Sequence, residues 1–257
     1  MTSTDLSLIV TAHNETLVCG PTMEAADVAV EAARAAGYTV QPIIALDKAT
    51  EETTDYFHQP DFDHWERWVM QEGDLGRVRN ALLPLTSGRF IAFLDADDLF
   101  SENWLAEGLD VLVEAEGRGE RVIAHPEVNM IFDGGQYLLQ NVDQDSPLFT
   151  PHFFYVRNYY DSLCLTPREA HLEVPYIHRD IPNGLSYQDW QFAVETMAMG
   201  WKHVVVPDTI IFKRRRDFSL VTESNTRRSV LRSLPEMAID RIRDLARSVR
   251  PAAGPAQ

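Results

Sequence analysis

Residues 89–105 read RFIAFLDADDLFSENWL. An apolar run from Phe90 to Leu94 stops at three carboxylates within four positions, Asp95, Asp97 and Asp98. In an open parallel sheet, ligands collect at the carboxyl ends of the strands, which is where these acids fall. Two carboxylates about 4 Å apart repel by roughly 4 kcal/mol at an effective dielectric near 20. A divalent cation removes that penalty, and an all-oxygen donor set favours Mg2+ or Mn2+ over zinc. Mg2+ takes one or two carboxylates and fills its shell with phosphate oxygens and water. The pair Asp95 and Asp97 therefore predicts a metal that holds a phosphate. An isolated D-x-D more often caps the next helix or decorates a turn, and Asp98 reads as such a turn acid.

The flanking pattern favours a ligand. LSLIVTA (6–12) is a β-branched apolar run that ends in polar HNE, a buried strand followed by a loop. TMEAADVAVEAARAAG (22–37) carries apolar residues at helical spacing, with Gly37 as a stop. YTVQPIIALD predicts a second strand closing at Asp47, and KATEETTDYF a short helix. Strand, helix, strand with short links is the signature of a parallel sheet. A helix over about 76–86 precedes the acidic strand, and SENWLAEGLDVLVEAEG predicts a helix capped by Ser101. RVIAHPEVNMIF is another strand. Residues 133–182, mixed in aromatics and prolines, read as loops and short strands over one sheet edge. YQDWQFAVETMAMGW predicts a helix, KHVVVPDTIIFKRRR a strand interrupted at Pro207, and NTRRSVLRSLPEMAIDRIRDLARSVR a terminal amphipathic helix bent at Pro235, with PAAGPAQ frayed.

The 257 residues carry 23 basic and 39 acidic side chains, a formal charge of −16. That argues against nucleic-acid binding, although a local cation can still invert the field at one site. Two cysteines far apart, Cys19 and Cys164, exclude a disulfide framework or zinc ribbon. The opening stretch has no basic n-region or long apolar core, so no signal peptide is expected. No run approaches the ~18 apolar residues of a membrane span. The expected location is cytoplasmic, or peripheral at the inner membrane face. KRRR (213–216) and RIRDLAR (241–247) could touch anionic lipid, though a solvated surface accounts for both. His125, His171 and His178 show no ligand pairing, and HFFYVRNYYDSL (152–163) reads first as core packing.

In order along the chain stand Thr11, Asn14, Glu15, Asp47, Gly73, Arg79, Asn80, Gly88, Asp95, Asp97 and Asp98. This series resembles the family 2 glycosyltransferases of the GT-A fold over roughly the first 110 residues. His13 stands where the family has an aromatic, and ALDKATEET replaces the commoner double-Asp segment. SYQDWQFAVETMAMGW is similar to the family's second acidic region, with Gln188 in place of the frequent Glu and Asp189 keeping the second acid. KRRRDFSL resembles its basic, serine-containing loop.

The resemblance implies an α/β, Rossmann-like GT-A fold. Its mostly parallel sheet would be flanked by helices, with an irregular acceptor-side region and a C-terminal helix. Residues 1–232 would form the catalytic domain (1–110 binding the nucleotide-sugar, 111–232 the acceptor), and 233–257 a helix and tail. It implies Asp189 as general base, which residue pattern alone leaves level with a helix cap. Asp97 with Asp95 would hold Mn2+ or Mg2+. Thr11, His13, Glu15, Asp47, Arg79, Asp95, Arg214 and Arg216 would bind the nucleoside-diphosphate sugar. Direct displacement with inversion, onto a saccharide or lipid-linked saccharide acceptor in bacterial polysaccharide or glycoconjugate assembly, is the implied reaction. A phosphohydrolase with D-x-D would carry it on the first strand. A sugar-nucleotide nucleotidyltransferase would want a basic residue in the loop HNETLVCG. A binding module without catalysis would have no need of both Asp97 and Asp189.

Overall fold

The structure, a computed structural model, describes residues 4–216 and 220–246. Strand β1 (Leu6–Ala12) is buried along its whole length, as expected of a strand covered on both faces. The chain continues through α1 (Cys19–Ala35), β2 (Val40–Asp47), α2 (Glu51–Phe57), β3 (Glu66–Met70), α3 (Leu75–Leu82) and β4 (Phe90–Asp95). These four strands are parallel in the order β3-β2-β1-β4. Then come β5 (Leu99–Phe100), α4 (Trp104–Gly117), β6 (Val122–Asp133), β7 (Tyr137–Gln140), β8 (Leu165–Pro167) and α5 (Arg168–Glu173). The described chain closes with β9 (Leu185–Ser186), α6 (Gln188–Ala198), β10 (Lys202–Arg215), α7 (Leu220–Thr226) and β11 (Val230–Leu231). The main sheet runs β3-β2-β1-β4-β8-β6-β10-β5, with β7 on β6. β6 and β10 are parallel, and β8 is antiparallel to both neighbours. The architecture is the α/β, mostly parallel one expected.

Alternation along each strand sorts the core into two layers. Leu8 and Val10 pack with Met23 and Ala26 of α1 and Leu105 and Leu109 of α4. Ile9, Ile91 and Phe93 face the other way, onto Val78 and Leu82 of α3 and Phe192 of α6. Gly88 fixes the entry to β4: a Cβ there would collide with the backbone of Leu6 and Ser7. Burying a strand end this close to β1 requires a residue without a side chain.

Four expectations are corrected. Ser101 does not cap α4. The helix starts at Trp104 behind Asn103, and the Ser101 hydroxyl donates to Asn103 Oδ1 at 2.9 Å and accepts from the Ile210 N–H at 3.0 Å. Part of the irregular stretch enters the sheet rather than lying over its edge, because β8 sits between β4 and β6. Edge strand β3, absent from the pattern reading, has no fully buried residue to announce it. Among the described residues the C-terminal amphipathic helix breaks into α7, β11 and 3-10 turns at Pro235–Met237 and Ile242–Ala246. Val230 and Leu231 leave the helical path to pair with β9, and Pro235 cannot supply a helical N–H. The interruption at Pro207 stands, as a register shift between Val206 and Ile210. The tail from Arg247 and Ser219 of the basic loop lie outside the described residues.

Three histidines are core groups. His125 Nε2 and His203 Nδ1 share a hydrogen bond of 2.8 Å, and Tyr160 stacks on both rings. His171 packs among Phe93, Tyr176 and Phe192, and neither of its ring nitrogens has a partner. Burial pushes all three down, His171 and His203 to about 3. Their folded values lie below the ordinary 6.5, so their full contribution is present above pH 6.5 and is lost as pH falls toward 3. We expect the folded-to-unfolded ratio to drop on the order of tenfold per pH unit per histidine in that window. His171→Phe should keep or raise stability at pH 7 and flatten the acid slope by about one proton in urea titrations from pH 7 to 4.

Candidate active site

The parallel register sets Thr11 of β1 beside Asp95 of β4. The Thr11 hydroxyl donates to Asp95 Oδ1 at 3.1 Å, and the same oxygen accepts from Arg79 Nη2 at 3.2 Å. Arg79 comes from α3, is 3% exposed, and lies over the rings of Phe93 and Tyr176 at 5.0 and 5.3 Å. After Asp95 the chain turns: the Asp98 N–H donates to the Asp95 carbonyl at 2.9 Å and the Ala96 N–H to the Thr11 carbonyl at 3.0 Å. Thr11 and Asp95 thus brace each other.

Lys213 of β10 enters the same cluster. Its Nζ stands 2.6 Å from Asp98 Oδ2, 3.4 Å from Asp161 Oδ1 and 3.5 Å from Asp95 Oδ2. Burial works against its charge, but Asp161, Asp98 and Asp95 outweigh it and hold the amine well above its usual range. Burial also opposes the Asp95 charge, and Lys213, Arg79 and the Thr11 hydroxyl more than offset it, so this carboxyl is lowered. Asp98 is pushed up to about 7, by burial and then by the charges of Asp95 and Asp97, with Lys213 opposing. Its other oxygen accepts the Arg214 N–H at 2.8 Å, the structural role expected of it.

Asp97 is placed differently. Arg216 Nη2 lies 2.7 Å from its Oδ2 and 3.1 Å from Glu15 Oε1. Burial and the Asp95 charge raise the Asp97 carboxyl, while Arg216 and Lys213 pull the other way. Arg214 stacks on Phe132, pairs with Asp133 at 2.9 Å and donates from Nε to the Asp97 carbonyl at 3.2 Å. Within the KRRR run, Lys213 and Arg216 pair with acids of the cluster, and Arg214 pairs with Asp133. Among the described residues no three His, Cys, Asp or Glu side chains gather as a metal nest. The donor chemistry still fits Mg2+ or Mn2+, which needs one or two carboxylates beside phosphate oxygens and water. Asp97 carries repulsion from Asp95 that a divalent ion would relieve, whereas both oxygens of Asp95 already have partners within the protein.

The first loop is tied to the second strand. His13 Nδ1 is 2.9 Å from the Asp47 carbonyl, and Glu15 Oε2 accepts the N–H groups of His13 and Asn14 at 2.6 and 2.7 Å. Asp47 accepts the N–H groups of Glu72 and Gly73 at 2.7 and 2.8 Å, so it anchors the 71–74 loop with lone pairs remaining for a ligand. His13 is exposed at the lip.

Asp189 lies in the first turn of α6, behind the cap residue Tyr187, which takes left-handed φ 70°. Its carboxyl is raised by burial and then by the Asp161 charge, while the Trp190 N–H, Asn158 and Arg79 pull it down. Asn158 Nδ2 reaches its Oδ2 at 3.3 Å. Arg79 acts electrostatically on both Asp95 and Asp189, so two acids 94 positions apart (189 minus 95) lie within reach of one guanidinium. Pattern reading missed Lys213, Asp161 and Asn158. Three acids at a buried strand end demand cations from elsewhere in the chain, and KRRR is its densest cationic run. Asp161 and Asn158 sit in an aromatic stretch and carry no such signal.

Removing a partner from a buried ionic cluster typically costs about 3–5 kcal/mol. We expect Lys213→Met to lose at least that much in urea unfolding. Adding Asp98→Asn should restore part of the loss, since it removes one of the stranded charges.

The family model for Glycosyl transferase family 2 matches residues 7–119. The amylovoran biosynthesis glycosyltransferase AmsB of Erwinia amylovora is 27% identical over 133 residues, 50% of this chain and 43% of AmsB. The crystal structure of S. aureus TarS 1–349 in complex with UDP-GlcNAc superimposes with a TM-score of 0.61, covering 84% of this chain and 60% of that one, at 14% identity. A second TarS crystal structure gives 0.60, covering 83% of this chain and 37% of its own length, again at 14% identity. The chain thus spans less than half of AmsB and at most 60% of these TarS chains. The fold is that of the TarS structures, and Thr11, Glu15, Asp47, Arg79, Asp95 and Asp97 all fall inside the matched segment. Residues 7–119, less than half of the chain, are similar to glycosyl transferase family 2.

Proposed function

We propose that the chain is a metal-dependent, inverting glycosyltransferase. It moves a sugar from a nucleoside-diphosphate sugar, with a UDP-sugar favoured, to a hydroxyl of a saccharide or lipid-linked saccharide. The carrying observation is Arg79, buried between the acids of the 7–119 segment and Asp189 of the second half. Two further points support the donor and the setting: TarS binds UDP-GlcNAc, and AmsB is by name an amylovoran biosynthesis enzyme. Assembly of a bacterial polysaccharide or glycoconjugate on the cytoplasmic side is the corresponding role. Among the described residues no helix is long and apolar enough to cross a membrane.

Transfer needs a stabilised leaving diphosphate and an acceptor hydroxyl that loses its proton. A divalent ion held by Asp97, with Asp95 beside it, supplies Lewis-acid stabilisation of the diphosphate when bound. Arg216 stands at that same acid, and its guanidinium fork matches a phosphate edge. His13 at the lip and Asp47 behind it would meet the base and ribose. Asp189 takes the acceptor proton. Its raised pKa makes it a stronger base, and Asn158 and the Trp190 N–H fix its direction.

We expect UDP to raise the melting temperature only when Mn2+ or Mg2+ is present, and Asp97→Asn to abolish that dependence. Asp189→Asn should keep UDP binding and lose transfer by about 10^2–10^4-fold. The base must be ionised to work, so wild-type turnover should fall as pH drops through the raised Asp189 pKa. Normal transfer by Asp189→Asn would refute the base assignment. UDP binding with no donor cleavage by the wild type would identify a nucleotide-sugar-binding module instead.

A further inference from the structure

A cavity of about 620 Å³ opens beside α6, within the size range of small-molecule sites, roughly 300–1,000 Å³. Phe154, Tyr187, Trp190 and Leu231 give it aromatic and apolar walls, and Ser229 and Arg232 also line it. Trp190, one wall of the cavity, is the residue that follows the proposed base Asp189 on α6.

Three polar groups of this wall can donate and are left without a partner. The indole Nε1 of Trp190, the hydroxyl of Ser229 and the Nε of Arg232 are closed off from solvent and have no hydrogen-bond partner. Ser229 is only 7% exposed. An unmet buried donor costs about 1–3 kcal/mol, and three around one cavity is a concentration that packing does not require. Arg232 makes no ion pair with any described acid, although the chain carries a net charge of −16. Glu195 lies near enough to feel the Arg232 charge, yet neither Glu195 nor Glu236 comes within ion-pair distance of it. Donors and an unneutralised guanidinium beside aromatic faces suit a ring with apolar faces and a negatively charged substituent. Tyr187, held in left-handed backbone at the rim, stores strain of the kind found where a side chain must be aimed at a ligand.

We infer that this cavity is an acceptor subsite for an anionic sugar, one whose ring rests against Trp190 and whose carboxylate or phosphate is held by Arg232 with Ser229. The inference rests on the reading of Asp189 as the base and adds the acceptor's chemical class. Arg232 and Trp190 here are binding residues for the acceptor and take no part in donor binding.

The test uses the full chain and three probes, methyl β-glucuronide, methyl β-glucoside and glucose 6-phosphate, with affinities read by titration NMR. The glucuronide or the sugar phosphate should bind at least tenfold tighter than the glucoside, and the preferred one identifies the anion as carboxylate or phosphate. Arg232→Gln should bring the anionic probe to the level of the glucoside, with Arg232→Lys retaining part of the difference. Because Gln keeps much of the side chain's bulk, an unchanged melting temperature separates lost charge from lost folding. If that variant is unfolded, Arg232→Lys and the salt dependence of wild-type binding read the same charge. Equal affinity for all three probes, or binding of none, overturns the inference. UDP titration of the wild type in parallel separates the failures. UDP binding without anion preference removes the subsite alone, whereas absence of UDP binding removes the functional reading beneath it.

Discussion

A single ammonium group, Lys213 Nζ, makes the acidic strand end tenable. Three carboxylates from two parts of the chain, Asp95 and Asp98 at the strand end and Asp161 further on, lie within 3.5 Å of it. Ionised carboxylates removed from water are costly unless paired and hydrogen-bonded. Arg79, on the other side of Asp95, and Arg216 on Asp97 bring two further cations. Three cations thus face five carboxylates, Asp95, Asp97, Asp98, Asp161 and Glu15, and Asp97 is the acid whose partner is a partly exposed arginine. The excess of carboxylates there is what a divalent ion would offset before a diphosphate could lie against them.

The same pairings tie the two halves of the chain together. Lys213 and Arg214 belong to β10, more than a hundred residues after Asp95 and Asp98, and Asp161 lies in the loop before β8. Formation of the donor-side cluster therefore requires the acceptor-side segments to be in place. The proposed base is part of that coupling, since Asp161 raises Asp189 while its own charge is shared with Lys213. Catalytic competence and stability draw on the same few ion pairs, so substitutions here should seldom separate the two cleanly.

Much of this was legible in residue order. The apolar run into D-A-D-D announced a strand end, and alternation in β1 and β4 announced a two-sided sheet. The parallel neighbours of Asp95 follow from the strand-helix-strand rhythm. Asp189 could be singled out through resemblance alone, since its pattern suits a cap equally well. What stayed hidden depends on long-range pairing. A lysine in a cationic run looks like solvated surface until the register of β10 against β6 turns it inward. Val230 and Leu231 look helical in a chain rich in arginine and leucine, yet tertiary pairing with β9 overrides that local preference. The three residues of β8 are too few to carry a period at all.

That brevity has a further meaning. β4 is closed on its outer side by β8 alone, with pairs at Phe90, Ile91 and Ala92, and those partners arrive more than seventy residues later in the chain. A fragment stopping at the family-matched segment would leave the hydrogen-bonding groups of a central, apolar strand open. Such a ledge invites pairing with other chains. The short antiparallel insert is thus a safeguard against self-association, delivered by the loops between β7 and β8.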